Sequence, residues 1–262
     1  MTNRPSRETH PAASKARGRT ASAAELRSAL ASAPPPFLAG ALENPELGPD
    51  EVLLFLRNRS APAALLARVG RDTEWTRLQE VKLGLVRHSN TPPAIARSLA
   101  AHLYPRDLAE IAEDVRVRPV VRRLAEEILK ASVAEMTLGA RISLARRCSR
   151  ALISVLRDSA EVAVLRALLG NGRLVEADAV MIASGGKNPV EVLRMLALNP
   201  VWGVRRAVRL ALLRNPRTPV PAALGLIRGM SRQDLASLAE DREAPRIVRV
   251  GAERRLGDGP GG

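Results

Sequence analysis

Residues 83–129, LGLVRHSNTPPAIARSLAAHLYPRDLAEIAEDVRVRPVVRRLAEEIL, return 127 positions later as 210–256, LALLRNPRTPVPAALGLIRGMSRQDLASLAEDREAPRIVRVGAERRL. No gap is needed, and 18 of the 47 pairs are identical, among them Arg87/Arg214, Thr91/Thr218, Pro92/Pro219, Asp107/Asp234, Asp114/Asp241, Arg122/Arg249 and Glu126/Glu253. A chain that repeats itself stacks similar units, each burying an apolar face on its neighbour. The same offset carries Leu42 to Leu169, Asn44 to Asn171, Pro62 to Pro189 and Trp75 to Trp202, so the duplicated halves are read as 41–129 and 168–256 with a divergent unit at 130–167. Asn44-Pro45 precedes His88-Ser89 by 44 residues, which suggests units of ~42 residues.

The elements are helical. Ala21–Ala33 reads as a first helix stopped by Pro34, Pro35 and Pro36, because proline cannot continue a helix interior. Within the repeat, the turn around Thr91-Pro92 offers a threonine N-cap with proline at the first helical position. Short helices follow at about 92–101 and 105–113, then a longer one at 117–130, preceded by one at 75–87; the second copy places theirs at 219–229, 232–240, 244–256 and 201–214. Ser231 and Asp234 have the spacing of a capping box. Nothing alternates with the period of a strand, and helices this short need neighbours to be stable. The expected fold class is all-α, with the repeat domain spanning 23–257. Residues 1–22, rich in Pro, Ser, Thr and Arg, are expected to be a flexible basic tail, and 258–262 a flexible end.

A helical unit of about 42 residues resembles HEAT and armadillo repeats. The turn Asn215-Pro216-Arg217-Thr218-Pro219 also resembles the leucine-rich repeat variant. These resemblances imply a right-handed α-solenoid of about five units. Leucine-rich-repeat-variant proteins can hold an iron–sulfur cluster on several cysteines, and with Cys148 alone that chemistry is not expected here.

Charge limits the partners. The formal net charge of +14 permits nucleic acid, an acidic protein or an anionic surface. Arginine supplies 37 of the 41 basic residues, which reads in part as a coding bias that scatters arginine over solvated faces. The segment 194–217 nevertheless holds six arginines and no acid, and 116–150 holds nine basic residues against three acids. Apolar runs are too short to span a membrane, and the N-terminus has no signal-peptide core, so the cytoplasm is the expected compartment.

No reaction centre emerges from the residue types. Ser184-Gly185-Gly186-Lys187-Asn188 lacks the first glycine and the final Ser or Thr of a phosphate loop. His10, His88 and His102 have no metal spacing, and His88 aligns with Asn215 as a turn residue. Cys148 reads as an apolar filler with no nearby histidine base. Asp107/Asp234 and Asp114/Asp241 occur in both copies, which suits helix caps better than catalysis. Neither cofactor nor metal is expected, nor a small-molecule substrate.

Trp75 and Trp202 sit at one locus of the two copies. On a helical wheel Trp202 is followed by Arg206 and Arg209, and Trp75 by Gln79 and Lys82. Such a face could stack on a base or hold an acidic peptide, or it could cover a joint between repeats. With the neighbouring cations, the candidate binding residues are Trp75, Lys82, Arg122, Arg123, Trp202, Arg205, Arg206 and Arg209. Changing Arg205, Arg206 and Arg209 together to Glu is expected to weaken anion binding without loss of helicity. The leading expectation is a non-enzymatic scaffold that binds another macromolecule, chiefly protein, along its concave side. Nucleic-acid binding through the arginine-rich face is the alternative. A more remote one is an enzyme resembling HEAT-like-repeat DNA glycosylases, for which an unrepeated Asp beside the tryptophans is missing.

Overall fold

The computed structural model describes residues 10–257, and among these it is all-helical: nineteen α-helices and one 3-10 turn, with no strand. By internal contacts the chain forms two compact units, one running to Leu129 and one beginning at Lys130.

The first unit contains α1 (Pro11–Thr20), α2 (Ala23–Ala29), α3 (Pro35–Ala41), α4 (Pro49–Arg57), α5 (Ala63–Arg71), α6 (Thr73–Thr76), α7 (Gln79–Arg87), α8 (Pro93–Ala100) and α9 (Pro105–Glu113), and most of α10 (Pro119–Ser132). It builds two rows. In one, α1 packs on α3 and α5 on α8; in the other, α2 packs on α4 and α4 on α7. The second unit contains α11 (Leu138–Arg147), α12 (Arg150–Leu156), α13 (Val162–Leu169), α14 (Glu176–Ser184), α15 (Val190–Leu198), α16 (Arg206–Arg214), α17 (Val220–Ile227), α18 (Arg232–Glu240) and α19 (Arg246–Gly257). Here α11, α13, α15, α17 and α19 pack in succession along one row, and α14 packs on α16 in the other. The longer helices bury i, i+3/i+4 stripes, such as Val192, Leu193 and Leu196 of α15 and Val208, Ala211 and Leu212 of α16.

Helix boundaries recur at the offset of 127 well beyond the limits expected from sequence. Helices α1 and α2 stand 127 residues before α11 and α12, and α4, α5, α7, α8 and α9 stand the same distance before α14 to α18. The stretch 130–167, expected to be a divergent unit, therefore carries the counterparts of α1, α2 and most of α3. The ~42-residue period is not that of the rows. Helices α11, α13, α15, α17 and α19, which pack in succession, begin at residues 138, 162, 190, 220 and 246, which are 24 to 30 residues apart, so the packing unit there is a helix pair. The Asn44-to-His88 spacing misled because it joins turns of two kinds, one at the end of each row.

Those turns share a device. Asn44 donates its amide to the carbonyls of Gly18 (3.0 Å) and Ala21 (2.8 Å), and Asn58 to those of Leu30 and Ala33 (both 2.9 Å). Asn171 donates to Ala145 and Cys148, and Asn215 to Ala183 and Gly185. Each of these Oδ1 atoms accepts the N–H two residues on, at 2.8 to 3.0 Å. One buried side chain thus satisfies the open carbonyls ending an earlier helix and shapes its own turn. His88 does the same with a ring: Nε2–H donates to the Asn58 carbonyl at 2.9 Å and Nδ1 accepts the Asn90 N–H at 3.1 Å. These partners assign its tautomer.

Two expectations are corrected. Residues 11–20, read as part of a flexible tail, form α1 packed on α3, with residues 1–9 and 258–262 outside the described range. Gly18 and Gly40 bring the two backbones together where a Cβ on either would collide with the other helix, so small residues do the packing and no large apolar period announces it. Thr91 and Thr218 are not caps either. The Thr218 hydroxyl donates back to the Leu212 carbonyl at 2.6 Å, the buried Thr91 hydroxyl has no partner among the described residues, and Pro92 and Pro219 hold the cap positions.

Candidate functional site

Three of the eight predicted binding residues, Trp202, Arg206 and Arg209, make contacts within the fold. Arg206, at the start of α16, reaches Asp234 at the third position of α18 with Nε at 2.9 and 3.0 Å from the two carboxylate oxygens and with Nη2 against Oδ1. Asp234 is buried and also receives the Ser231 hydroxyl at 2.8 Å, while the Asp234 N–H donates to that hydroxyl. The Arg206 guanidinium holds the Asp234 carboxyl below its ordinary range, and the carboxylate raises Arg206 in turn. Gln79 makes the corresponding contact in the first unit, donating to Asp107 at 2.9 Å. Arg209 bonds the Gly203 carbonyl through Nε (2.7 Å) and the Gly229 carbonyl through Nη1 (2.8 Å). Half-buried Trp202 donates its indole N–H to the Leu169 carbonyl at 3.2 Å, and so covers a joint between α13 and the turn before α16.

The remaining predicted residues do not converge. Trp75 in α6 and Lys82 in α7 are half-buried, as is Arg122, whose Nε is buried without a partner among the described residues; Arg123 and Arg205 are exposed. The triple change to Glu at 205, 206 and 209 therefore strikes the fold: a glutamate at 206 would face buried Asp234, and one at 209 would face two carbonyls.

The acid-free look of 194–217 holds in the linear sequence but not for all of its arginines in the fold. Arg206 and Arg214 pair with Asp234 and Asp241, each 27 or 28 residues downstream, and Arg217 donates to the Gly186 carbonyl. The Arg214 guanidinium lowers the Asp241 carboxyl, whose Oδ1 also accepts the Glu243 N–H; Arg116 does likewise for Asp114. These aspartates are turn and joint residues. Cys148 is buried, with the Asn171 amide 3.4 Å from its sulfur. No group of three or more His, Cys, Asp or Glu side chains among the described residues is placed to hold a metal.

What the structure adds is apolar surface, nearly all of it in the second unit. Of fifteen exposed large apolar side chains among the described residues, Tyr104, Val115 and Val120 precede Lys130. Between α14 and α16 runs an open groove of about 420 Å³ lined by Val180, Ala207, Leu210 and Ala211, with Ser184, Gly186 and Arg214 toward one end and Met181 exposed beside it. The first unit places Asp50, Arg57 and Glu80 where the second has Ala177, Ser184 and Ala207. That signal was available in the sequence: the offset that reveals the repeat also shows where the copies differ in polarity. No helix among the described residues is long and apolar enough to cross a membrane. No protein-family model, curated protein or solved structure matches the chain.

Proposed function

We propose that this chain is a non-enzymatic helical-repeat scaffold of the α-solenoid kind, resembling HEAT or leucine-rich-repeat-variant arrays, and that it binds another protein through its second unit. One observation carries the reading: among the described residues, twelve of the fifteen exposed large apolar side chains lie there. Isolated exposed apolar residues are ordinary, but a concentration of them on one half of a repetitive surface is characteristic of an interaction site. Positive charge follows the same division. Residues 130–262 hold 22 basic side chains against 12 acidic, and residues 1–129 hold 19 against 15. Engagement of Arg206, Arg209, Arg214 and Arg217 in internal contacts leaves fewer guanidinium groups for phosphate than the sequence advertises, which favours protein over nucleic acid.

The test places a photo-crosslinking residue at Leu210 in the α14–α16 groove, and in a second preparation at the matching Leu83. Protein adducts at 210 that are scarce at 83 support the reading. Adducts that vanish after nuclease treatment point to nucleic acid, and equal adducts at both places remove the assignment to the second unit.

A further inference from the structure

The row formed by α13, α15, α17 and α19 carries a second apolar surface, separate from the α14–α16 groove. On α17, Val220 and Leu224 are one turn apart and exposed, with Ala223, Leu226 and Ile227 buried behind them. On α19, Ile247 and Val250 are exposed while Val248 and Ala252 are buried. On α15, Val190 and Leu198 are exposed, Leu198 by 75%, over buried Val192, Leu193 and Leu196. Helices α15, α17 and α19 pack in that order, and Gly251 of α19 sits against Leu224 and Ile227 of α17. The exposed residues therefore form a stripe running across three helices. Exposed Arg194, Arg228, Arg246 and Arg254 flank it, none in an ion pair among the described residues, against the two carboxylates Glu191 and Glu253.

At the matching places the first unit has Arg71 for Leu198, Arg97 for Leu224 and Arg123 for Val250, and Ala101 for Arg228. The stripe is thus not a demand of the fold, because the same helix position accepts arginine in the other copy. We infer that this stripe of the second unit is a docking site for an acidic amphipathic segment of another protein, whose apolar side chains cover Val220, Leu224, Ile247 and Val250 while its carboxylates meet the surrounding arginines. An apolar centre with a charged rim has the anatomy of a protein interface, and the cationic rim selects a partner of opposite charge. The stripe is three valines, two leucines and an isoleucine spread across three packed helices; a membrane anchor instead sets leucine, phenylalanine or tryptophan along one helix.

The inference rests on the protein-binding reading of the second unit and narrows it to one face and one partner chemistry. It is tested by selecting from a random 16-residue peptide display library on the full chain, then measuring the enriched peptides against Leu224→Arg/Val250→Arg. Both substitutions install the first unit's residues, and circular dichroism identical to the parent establishes that the variant folds. Enriched peptides should combine apolar positions at helical spacing with Asp or Glu, and should bind the variant at least tenfold more weakly. A charge-reversed peptide, with Lys for each acid, should be comparably weak on the parent chain. Peptides that bind parent and variant alike would overturn this site while leaving protein binding by the second unit standing. Failure to recover any peptide would count against both. Vesicles of phosphatidylcholine and phosphatidylserine serve as the other arm, and binding to them that the variant loses would replace the peptide with a membrane surface.

Discussion

The first and second units place corresponding helices 127 residues apart and surface them differently. Helix α7 presents Gln79, Glu80 and Lys82 where α16 presents Arg206, Ala207 and Arg209, and the joint closed by His88 in one is closed by Asn215 in the other. Buried positions hardly change: Val81 and Leu85 of α7 face inward as Val208 and Leu212 do in α16. Exposed positions change class, from the arginines at 71, 97 and 123 to Leu198, Leu224 and Val250. Packing constrains the inside of both copies, so what differs outside reports what each copy does with solvent and partners.

The comparison breaks first, and with the largest effect, in the core. Leu85→Asp and Leu212→Asp each bury an unpaired carboxylate at a fully buried site, and each should cost about 4 kcal/mol or more. Thermal melts followed by circular dichroism should show comparable damage from either; a silent substitution at one site would mean that the two α7/α16 positions are not equivalent.

Next come the turn residues. Asn215→Ala abandons the Ala183 and Gly185 carbonyls and the Arg217 N–H, and should cost about 2–3 kcal/mol in urea unfolding. His88→Asn installs the second unit's solution and should stay within about 1 kcal/mol of the parent, whereas His88→Ala should resemble Asn215→Ala. If His88→Asn were as damaging as the alanine, the two joints would not be interchangeable.

A smaller effect appears in acid at the α16–α18 pair. Arg206 lowers the Asp234 carboxyl in the folded chain, so the folded state binds fewer protons there than the unfolded one. The pair's contribution is then complete above the unfolded value of about 3.9 and is lost as pH falls through the lower folded value. Asp234→Asn should lose stability at neutral pH and show a flatter decline below about pH 4 than the parent. Parallel acid limbs would remove this pair from the linkage. Smallest of all, Arg205→Glu alters an exposed side chain and should shift the melting temperature by no more than about 2 °C. Arg206→Glu, one residue on, should shift it more, because it opposes Asp234.

The sequence disclosed what repeats and what has a period. Helices at 105–113 and 232–240 fall where the pattern placed them, and Asp114 and Asp241 shape turns as their position in both copies suggested. Helix α1 was illegible because its buried residues are Ser14 and Gly18, and Gly18 with Gly40 of α3 packs it by close backbone approach. The internal contacts of Trp202, Arg206 and Arg209 were not legible because their partners, Leu169, Asp234, Gly203 and Gly229, are mostly 20 to 33 residues away along the chain and invisible to a local tally of charge. The groove between α14 and α16 was legible in principle, through Ser184 and Ala207 standing opposite Arg57 and Glu80 in the aligned copies.

The most direct test of the second unit as the binding half is an exchange of surfaces. Arg71, Arg97 and Arg123 are replaced by leucine, leucine and valine, and Leu198, Leu224 and Val250 by arginine, in one full-length chain. Contact sites of a peptide selected on the parent chain are then mapped by crosslinking and mass spectrometry. Contacts should leave α15, α17 and α19 and appear on α5, α8 and α10, with weaker affinity because Arg228 and Arg246 have no counterparts there. Contacts that stay on the second unit despite three new arginines would contradict the account.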